Sequence, residues 1–291
     1  MANKIISFYK FIKLKNLPKI KEQIFEKSLK TKLKGTILLA EEGINGMISG
    51  TFESIKTFEE FLGTFQEFND LEYKTSYYDK TPFRRMLVKV KKEIITMRRC
   101  VSPQKETGQY LQPKDLKKWF DDRKDMTILD TRNTYEVAAG TFEGALDPKI
   151  ESFEGFARFI DKNAEKLKSN KPIVTFCTGG IRCEKATAYM LQKGIKNVYQ
   201  VEGGILKYLE ETKGEEKNHW RGECVVFDKR KAVDKNLEPT EKLLCYICLL
   251  EFSKDDYKYE NLGPGGRFCE SCYKKLKKKS VHYTRRIVPT G

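Results

Sequence analysis

The sequence predicts a multidomain α/β and α+β protein: an α+β unit, a central α/β unit with a parallel sheet, and a small cysteine-rich C-terminal region. Three observations support this prediction. Residues up to about 100 show strand and helix patterns in the order β-α-β-β-α-β, the next hundred or so alternate short apolar strands with helices, and the remainder is polar. A chain of 291 residues has the length for two or three domains. We therefore expect domains at 1–100, 101–212 and 213–291.

The N-terminal unit is defined by the spacing of its apolar residues. Alternation and helical spacing predict, in order, a strand over 4–14, a helix over 19–32, strands over 36–40 and 47–49, a helix over 53–65, and strands over 71–78 and 86–96. Residues Gly43 to Gly46 contain Gly and Asn and are expected to form a turn between the two middle strands. This order is that of a ferredoxin-like split β-α-β arrangement.

The central unit begins after a linker, for which the Pro and Gly residues of 97–112 are suitable. The pattern then predicts strands over 127–130, 173–176 and 197–201, and helices over 153–167 and 183–193. Such alternation indicates a parallel sheet covered by helices. A ligand site is expected where the strands of such a sheet end, and Cys177 lies there.

The loop from Cys177 to Arg182 is suited to hold an anion. Gly179 and Gly180 tolerate unusual dihedral angles, so the backbone N–H groups of 178–183 can curl around one point. The next helix directs its N-terminus to the same point, and Arg182 adds positive charge. A cysteine there has a lowered pKa and is a nucleophile. The alternative is a buried cysteine that closes a strand, but the Gly-Gly turn and the arginine would then have no packing purpose.

Three separated motifs resemble those of rhodanese domains. They are the loop segment 175–186, the Asp130-Thr131-Arg132 motif followed by Glu136 and Gly144-Ala145, and Val201-Glu202-Gly203-Gly204-Ile205. The resemblance covers about residues 108–212 and implies sulfur transfer through a persulfide on Cys177. Two departures are present: residues 142–152 lack the usual isoleucine of the first signature, and Tyr208 stands where many rhodaneses have Trp.

The flanks are similar to the bacterial tRNA uridine hydroxylases. The similar segments are Glu42-Gly43-Ile44-Asn45-Gly46, Pro82-Phe83 with Val88-Lys89-Val90, and residues 220–230. This resemblance implies an acylphosphatase-like N-terminal domain, tRNA as partner, and oxygen-dependent conversion of wobble uridine to 5-hydroxyuridine with O₂ as co-substrate. It makes the chain an oxidoreductase in which Cys177 is catalytic. The candidate substrate-binding residues are Thr178, Gly179, Gly180, Ile181 and Arg182.

Two other functions remain open. The same cysteine could serve a sulfurtransferase acting on tRNA or a small molecule, or the chain could be a non-catalytic RNA-binding protein. The complete loop disfavours the non-catalytic function, and the resemblance along the whole chain favours hydroxylation over sulfur transfer. No flavin or nicotinamide fingerprint is visible in the sequence, so it does not explain how oxygen is activated.

Four cysteines of the C-terminal region have the spacing of a zinc site. Cys245 and Cys248 form one Cys-x-x-Cys pair, and Cys269 and Cys272 form a second. Two such knuckles present four thiolates in a tetrahedron, and a structural Zn would compensate for the small core of this region. The alternative is a pair of redox or solvent-facing dithiols.

Several other residues are open to two interpretations. Cys183 is either a candidate resolving thiol for Cys177 or a partly buried residue at a helix start. Glu42 and Asn45 are either functional or part of a tight hairpin turn, and we favour the turn. His219 would have to reach the loop to form a Cys/His pair, which we do not expect.

Charge and hydropathy indicate partners and location. The net charge is +15, with 20 basic and 12 acidic residues in 1–100, 18 and 17 in 101–212, and 18 and 12 in 213–291. Basic flanks around a nearly neutral centre suggest that the flanks hold a polyanion, although a merely solvated lysine-rich surface is the alternative. No long apolar run or secretion signal is visible, so we expect a cytoplasmic protein with no membrane contact. The sequence indicates no protein partner.

Overall fold

The computed structural model describes residues 3–228, 230–240, 245, 269–272 and 274. The N-terminal domain contains five strands and two helices: β1 (Asn3–Phe11), α1 (Leu17–Lys30), β2 (Lys34–Ala40), β3 (Gly43–Gly50), α2 (Phe52–Gly63), β4 (Lys74–Tyr78) and β5 (Met86–Val90). The sheet order is β4-β1-β3-β2-β5. The first four strands have the ferredoxin-like order, and β5 adds an edge strand parallel to β2.

The core of this domain follows from the two periodicities of its sequence. In α1, Ile20 and Ile24 face inward, as residues four apart on one helix side do. Helix α2 begins at a threonine cap, where the Ser54 N–H donates to Thr51 Oγ1 at 3.2 Å. Its Ile55, Phe58 and Leu62 join the buried strand residues in one apolar cluster.

The predicted turn at Gly43 to Gly46 is wrong. These residues lie inside β3, and Gly43 already pairs with Ala40, so that the turn is at Glu41 and Glu42. The glycines are needed for close packing instead. A Cβ on Gly43 would lie 2.0 Å from the Lys10 carbonyl oxygen, and one on Gly46 would lie 2.5 Å from the Phe8 ring.

The central domain contains a four-stranded parallel sheet in the order β6-β10-β9-β7. Its elements are β6 (Gln109–Leu111), α3 (Pro113–Asp121), β7 (Thr127–Asp130), α4 (Thr134–Ala139), β8 (Gly140–Phe142), α5 (Phe153–Leu167), β9 (Ile173–Phe176), α6 (Ile181–Gln192), β10 (Val198–Val201) and α7 (Gly204–Glu211). One apolar cluster includes residues of α5 and α6, and another includes residues of α3 and α7. The predicted fold class is therefore confirmed, including the parallel sheet.

The first part of the region after residue 212 packs against the central domain. Its strands are β11 (Trp220–Gly222), β12 (Cys224–Val225) and β13 (Ala232–Val233). Strand β11 pairs with β8, and Trp220, Cys224 and Val233 enter the apolar cluster of the central domain. In the part of the chain that the structure describes, no helix combines the length and apolarity needed to span a membrane.

Candidate functional site

The reactive loop leaves the carboxyl end of β9. Cys177 follows Phe176 directly, and α6 begins at Ile181. Gly180 precedes the helix with a φ of 99°, a conformation that glycine adopts without strain. In this conformation its N–H donates to Cys177 Sγ at 3.1 Å. The sulfur therefore lies at the N-terminal end of a helix, inside a turn of backbone amides.

The segment Gly203 to Leu206 supports the loop. The N–H of Ile205 donates to the Cys177 carbonyl at 2.9 Å, and the N–H of Leu206 donates to the Thr178 carbonyl at 3.1 Å. The backbone approaches so closely that a Cβ on Gly204 would lie 2.5 Å from the Cys177 carbonyl oxygen. The first turn of α7 thus binds loop carbonyls, which explains why this position requires glycine.

The surroundings of Cys177 favour its thiolate. Burial alone would raise the pKa of this thiol, since the side chain is only 1% exposed. The hydrogen bond from the Cys183 thiol, the charge of Arg182 and the N–H groups of Arg182 and Cys183 outweigh burial and lower the pKa to about 5. Cys177 is therefore a thiolate at neutral pH and a ready nucleophile.

Cys183 lies against Cys177 in the first turn of α6. Burial raises the pKa of Cys183, and the hydrogen bond to Cys177 and the charge of Cys177 raise it further. Cys183 is thus the protonated partner that donates to the thiolate, and Thr131 Oγ1 lies 3.8 Å from its sulfur. A resolving thiol must lie beside the sulfur that it attacks, so the position of Cys183 is compatible with that role.

The guanidinium of Arg182 is held by Glu136. Nη1 donates to Glu136 Oε2 at 2.6 Å and Nη2 to Oε1 at 2.7 Å, with both side chains buried. Burial would raise the pKa of Glu136, but the charge and hydrogen bonds of Arg182 outweigh it and lower the pKa. Because both Nη atoms are engaged, Arg182 acts on an anion in the loop mainly through its charge.

The Asp130-Thr131-Arg132 motif forms a second buried ion pair. Arg132 Nε donates to Asp130 Oδ1 at 2.9 Å and Nη2 to Oδ2 at 2.7 Å, while Nη2 also donates to the Gly140 carbonyl at 2.6 Å. Neither side chain is exposed. This fork fixes the connection from β7 to α4 and β8, and α4 carries Glu136. The motif therefore acts on Cys177 indirectly, by positioning the partner of Arg182.

Two residues that the sequence did not indicate reach the loop from the N-terminal domain. Tyr9 of β1 donates to Glu184 Oε1 at 3.2 Å, and its hydroxyl lies 2.8 Å from where a Cβ on Gly180 would be. Lys74 of β4 donates to the carbonyls of Gly179 and Gly203. Lys74 and Gly179 are 105 positions apart, and no local sequence signal marks such a contact.

Glu42 helps to join the two domains, and Asn45 holds the segment that follows β5. Glu42 lies in the hairpin turn, as expected, but its carboxylate also accepts from the Ile94 N–H at 2.7 Å and pairs with the buried Lys185 at 2.8 Å. Asn45 lies in β3 and not in the turn, contrary to the expectation, and its Nδ2 donates to the Ile94 carbonyl at 3.1 Å. Lys185 pairs in addition with Glu93 at 2.6 Å. These contacts tie helix α6 to the hairpin and to the segment that follows β5.

An exposed aromatic ring lies at the rim of the loop. Phe227 is 58% exposed, and the Arg182 guanidinium carbon is 5.9 Å from the centre of its ring. The segment is anchored on both sides: Thr178 Oγ1 donates to the Val225 carbonyl at 3.4 Å, and Arg230 donates to Ser76 Oγ at 3.1 Å. A planar ring is therefore held beside the loop that carries Cys177.

His219 has partners other than Cys177. Its Nε2 lies 2.7 Å from Asp121 Oδ1, its Nδ1 lies 3.3 Å from Glu143 Oε2, and its ring stacks on Phe120. This agrees with the expectation that His219 does not form a catalytic pair with the loop cysteine.

Three of the four predicted zinc ligands lie together. The sulfur atoms of Cys245, Cys269 and Cys272 are within 4.8 Å of one another. With Zn–S bonds of about 2.3 Å, such sulfurs can share one tetrahedral metal. Cys248, the fourth predicted ligand, lies outside the described residues.

Two family models match consecutive parts of the chain. Residues 3–94 match the UPF0176 acylphosphatase like domain, and residues 112–211 match the rhodanese-like domain. Together these matches cover the N-terminal sheet and the whole parallel sheet except β6. The loop with Cys177 lies inside the rhodanese match.

Three solved structures each resemble a part of this chain. SSP1007 from Staphylococcus saprophyticus is 26% identical, with 34% of this chain and 92% of that chain covered and a TM-score of 0.30. A rhodanese-like domain protein from Staphylococcus aureus is 25% identical, covering 34% and 90%, with a TM-score of 0.29. The rhodanese-like domain of an Anabaena protein is 19% identical, covering 40% and 80%, with a TM-score of 0.33.

The family assignment rests on the domain matches and their order. An acylphosphatase-like domain of the UPF0176 type precedes a rhodanese domain, and a cysteine-rich region follows. This is the architecture that the motifs predicted, and it implies an enzyme-like function for the loop cysteine. The chain therefore has the domain architecture of the UPF0176 family, an acylphosphatase-like domain followed by a rhodanese domain.

Proposed function

We propose that this protein is a tRNA uridine hydroxylase, an oxidoreductase that converts wobble uridine to 5-hydroxyuridine with O₂. One observation carries the proposal: the UPF0176 acylphosphatase-like domain is joined to a rhodanese loop whose cysteine is held as a thiolate. The rhodanese domain alone supports only sulfur chemistry at Cys177. The proposal of hydroxylation depends on the family resemblance along the flanks.

The thiolate gives a chemical route to the C5 position. Addition of Cys177 Sγ to C6 of uracil forms a C–S bond and moves electron density to C5 and the O4 enolate. This electron-rich carbon reacts with O₂ and takes up a proton, which gives a C5 hydroperoxide. The loop amides stabilise the thiolate before addition and after its release.

The remaining steps require two electrons from a thiol reductant. Two thiol groups reduce the hydroperoxide to a C5 hydroxyl, releasing one water and forming one disulfide. Loss of the C5 proton then expels Cys177 as thiolate and restores the ring double bond. The sum is uridine, O₂ and two thiols giving 5-hydroxyuridine, water and a disulfide, so one oxygen atom of O₂ enters the product.

A second route begins with oxidation of Cys177. A peroxide converts the thiolate to a sulfenic acid, which transfers its OH to C5 while the uracil C5 proton leaves and the thiol is regenerated. Here Cys183 is the neighbour that can trap the oxidised sulfur as a disulfide. Both routes place the reacting sulfur at Cys177.

Phe227 is the candidate surface for the uracil ring. Single-stranded RNA bases are recognised largely by stacking on aromatic side chains. Phe227 is exposed at the rim of the loop, and the neighbouring charge of Arg182 favours an anionic group beside the base. We propose that the base stacks here as it approaches Cys177.

The tRNA backbone is proposed to bind the basic flanks through its phosphates. The excess of basic residues lies in 1–100 and 213–291, outside the nearly neutral domain that carries the loop. Contacts of this kind weaken steeply with salt because binding releases condensed counterions. A titration of tRNA binding against salt concentration measures how many phosphates are engaged.

Sulfur transfer is the second candidate function. It is favoured by the rhodanese match and by the same loop, whose Gly180 N–H donates to the sulfur and would stabilise a persulfide anion as well as a thiolate. The substrate would then donate sulfur to Cys177, and an acceptor such as a tRNA base would receive it.

The cysteine group of the C-terminal region is proposed to hold a structural zinc. Thiolates in a four-cysteine set are the usual ligands of structural zinc, and Cys245, Cys269 and Cys272 already lie within reach of one ion. Bound zinc would stabilise a region with little core of its own.

Mass spectrometry of tRNA nucleosides from a deletion strain distinguishes the two functions. Loss of 5-hydroxyuridine and its derivatives, restored by the intact gene but not by a Cys177→Ala gene, is expected. Loss of thiolated uridine with normal 5-hydroxyuridine would instead establish sulfur transfer and refute hydroxylation.

A further inference from the structure

The peptide between Gly179 and Gly180 is held at both ends. Its N–H, on Gly180, donates to Cys177 Sγ at 3.1 Å, and its carbonyl, on Gly179, accepts a hydrogen bond from Lys74 Nζ. A trans peptide is planar, and its C=O and N–H point in opposite directions. Fixing the oxygen therefore fixes the direction of the N–H, and polarising the carbonyl strengthens that donor.

Lys74 belongs to a different domain from the loop that it holds. It lies in β4, and Nζ also donates to the Gly203 carbonyl at 3.1 Å and lies 5.4 Å from the centre of the Tyr9 ring. Gly203 precedes the helix that binds the Cys177 carbonyl. One ammonium group thus connects both segments that shape the sulfur site.

The charge of Lys74 has no carboxylate partner within ion-pair distance among the described residues. Burial lowers the pKa of Lys74, and the nearby Cys177 thiolate counteracts this effect. A buried cation is costly unless an anion or oriented dipoles compensate for it. Here the compensation comes from two carbonyls, an aromatic face and the thiolate, whereas the neighbouring Lys207 is paired with Glu202.

We propose that Lys74 of the N-terminal domain is a positioning residue for Cys177: it aims the Gly180 N–H at the sulfur and adds a second positive charge to the anion site. The anions concerned are the thiolate and the sulfur anions formed on it, a sulfenate or a persulfide. The inference rests on only one part of the proposed function, the reactive thiolate, and holds for hydroxylation and for sulfur transfer.

Several titratable or charged groups face this site. They are Arg182, Cys183 and Glu184 from α6, Glu136 from α4, Lys74 from β4, Tyr9 from β1, Tyr110 from β6, Lys207 from α7, and Glu72 from the segment before β4. The effect of Lys74 must therefore be measured by changing Lys74 alone and following Cys177 alone.

The test is the pH titration of the Cys177 thiolate by ultraviolet absorbance, taken as the difference between each full-length protein and its Cys177→Ser counterpart. In Lys74→Met, the midpoint is expected to rise by about one pH unit or more, because a nearby positive charge lowers the pKa of a thiol by about this amount and the variant removes it. Lys74→Arg keeps a charged donor and is expected to restore part of the shift. Lys207→Met is the matched control and should leave the midpoint within about 0.3 unit, because its charge is already paired.

Equal midpoints in the unchanged protein and in Lys74→Met would overturn the inference, as would an equal shift in Lys207→Met. Should Lys74→Met fail to fold, Lys74→Gln keeps an N–H donor without charge, and the same outcomes apply to it. A protein with no low-pH midpoint even before Lys74 is changed would instead refute the reactive thiolate of the proposed function. The two failures are thus distinguishable.

Discussion

Cys177 of the central domain and Cys224 of the region packed against it are both buried, yet their pKa values move in opposite directions. Burial raises the pKa of Cys224 to about 12, and the charge of Arg132 opposes the rise without overcoming it. At Cys177 the same burial is outweighed by the Cys183 thiol, Arg182 and loop N–H groups, and the pKa falls to about 5. Burial alone therefore makes a cysteine inert, and donors directed at the sulfur make it reactive.

The largest difference between the two cysteines is expected in catalysis. Cys177→Ala should keep tRNA binding and abolish product, because no other described thiol occupies the amide turn. Cys224→Ala should keep full activity. Nucleoside mass spectrometry after incubation of each purified variant with unmodified tRNA measures both.

The activity of Cys183→Ala is expected to lie between that of Cys177→Ala and that of Cys224→Ala. Cys183→Ala removes one donor to the thiolate but leaves Arg182 and the amides, so activity should decrease by about tenfold rather than vanish. Complete inactivity of a folded Cys183→Ala protein would show instead that its sulfur takes part in the chemistry.

Breaking the buried ion pair of Arg182 and Glu136 should lower the free energy of unfolding more than breaking an exposed pair. Glu136→Gln leaves a buried guanidinium without its charge partner, and the free energy of unfolding should fall by about 3–5 kcal/mol. Glu143→Gln, at a partly exposed carboxylate bound to Arg221, is the matched control and should cost about 0–1 kcal/mol. Denaturant unfolding of both variants tests this, and equal costs would contradict it.

The two cysteines should give opposite dependences of stability on pH. The folded pKa of Cys177 is below its ordinary value of 9.0, so its contribution is present above pH 9 and is lost as the pH falls toward about 5. The folded pKa of Cys224 is raised, so its contribution is present below pH 9 and is lost as the pH rises toward about 12. Thermal unfolding against pH, with Cys177→Ser and Cys224→Ser as references, separates the two windows. Identical pH profiles for the two variants would disagree with the assigned surroundings.

A separate effect, on substrate binding, is expected at the rim of the loop. Phe227→Leu removes the stacking face while leaving the thiolate unchanged, and tRNA turnover should decrease by about five- to a hundredfold, since stacking on one base contributes about 1–3 kcal/mol. Phe227→Tyr keeps an aromatic ring and should retain most of the tRNA turnover. Phe52, equally exposed on the N-terminal domain, is the control for a general loss of surface apolarity. A Phe227→Leu protein as active as the Phe52→Leu control would exclude the stacking role.

The sequence was sufficient to predict those parts of the fold and of the site in which the contacting residues are close together in the chain. The strand before Cys177, the turn at Gly179 and Gly180 and the helix after them are consecutive, so their arrangement around the sulfur followed from residue types alone. The same holds for the fold class, because the alternation of strands and helices is a local pattern. Helix α3 was missed: its nine residues begin at Pro113, directly after the stretch that we expected to be a linker.

Long-range contacts could not be predicted in this way. In the sequence, Tyr9 and Lys74 are ordinary residues of two strands. They lie close to Gly179 and Gly180 only because the two domains pack together. The glycines of β3 were misinterpreted for the same reason. These positions require glycine because a larger side chain would clash with Lys10 and Phe8 of the neighbouring strand β1. The sequence alone does not show which residues of β1 lie opposite them, since this depends on the sheet register.

The most direct test of the account is a reaction of the purified protein with unmodified tRNA and a thiol reductant under oxygen gas enriched in the heavy isotope. Mass spectrometry of the nucleosides should find 5-hydroxyuridine carrying one heavy oxygen atom with the unchanged protein and with Cys224→Ala, and none with Cys177→Ala. Labelled product from the Cys177→Ala protein would contradict the central claim that the thiolate in this loop carries out the chemistry.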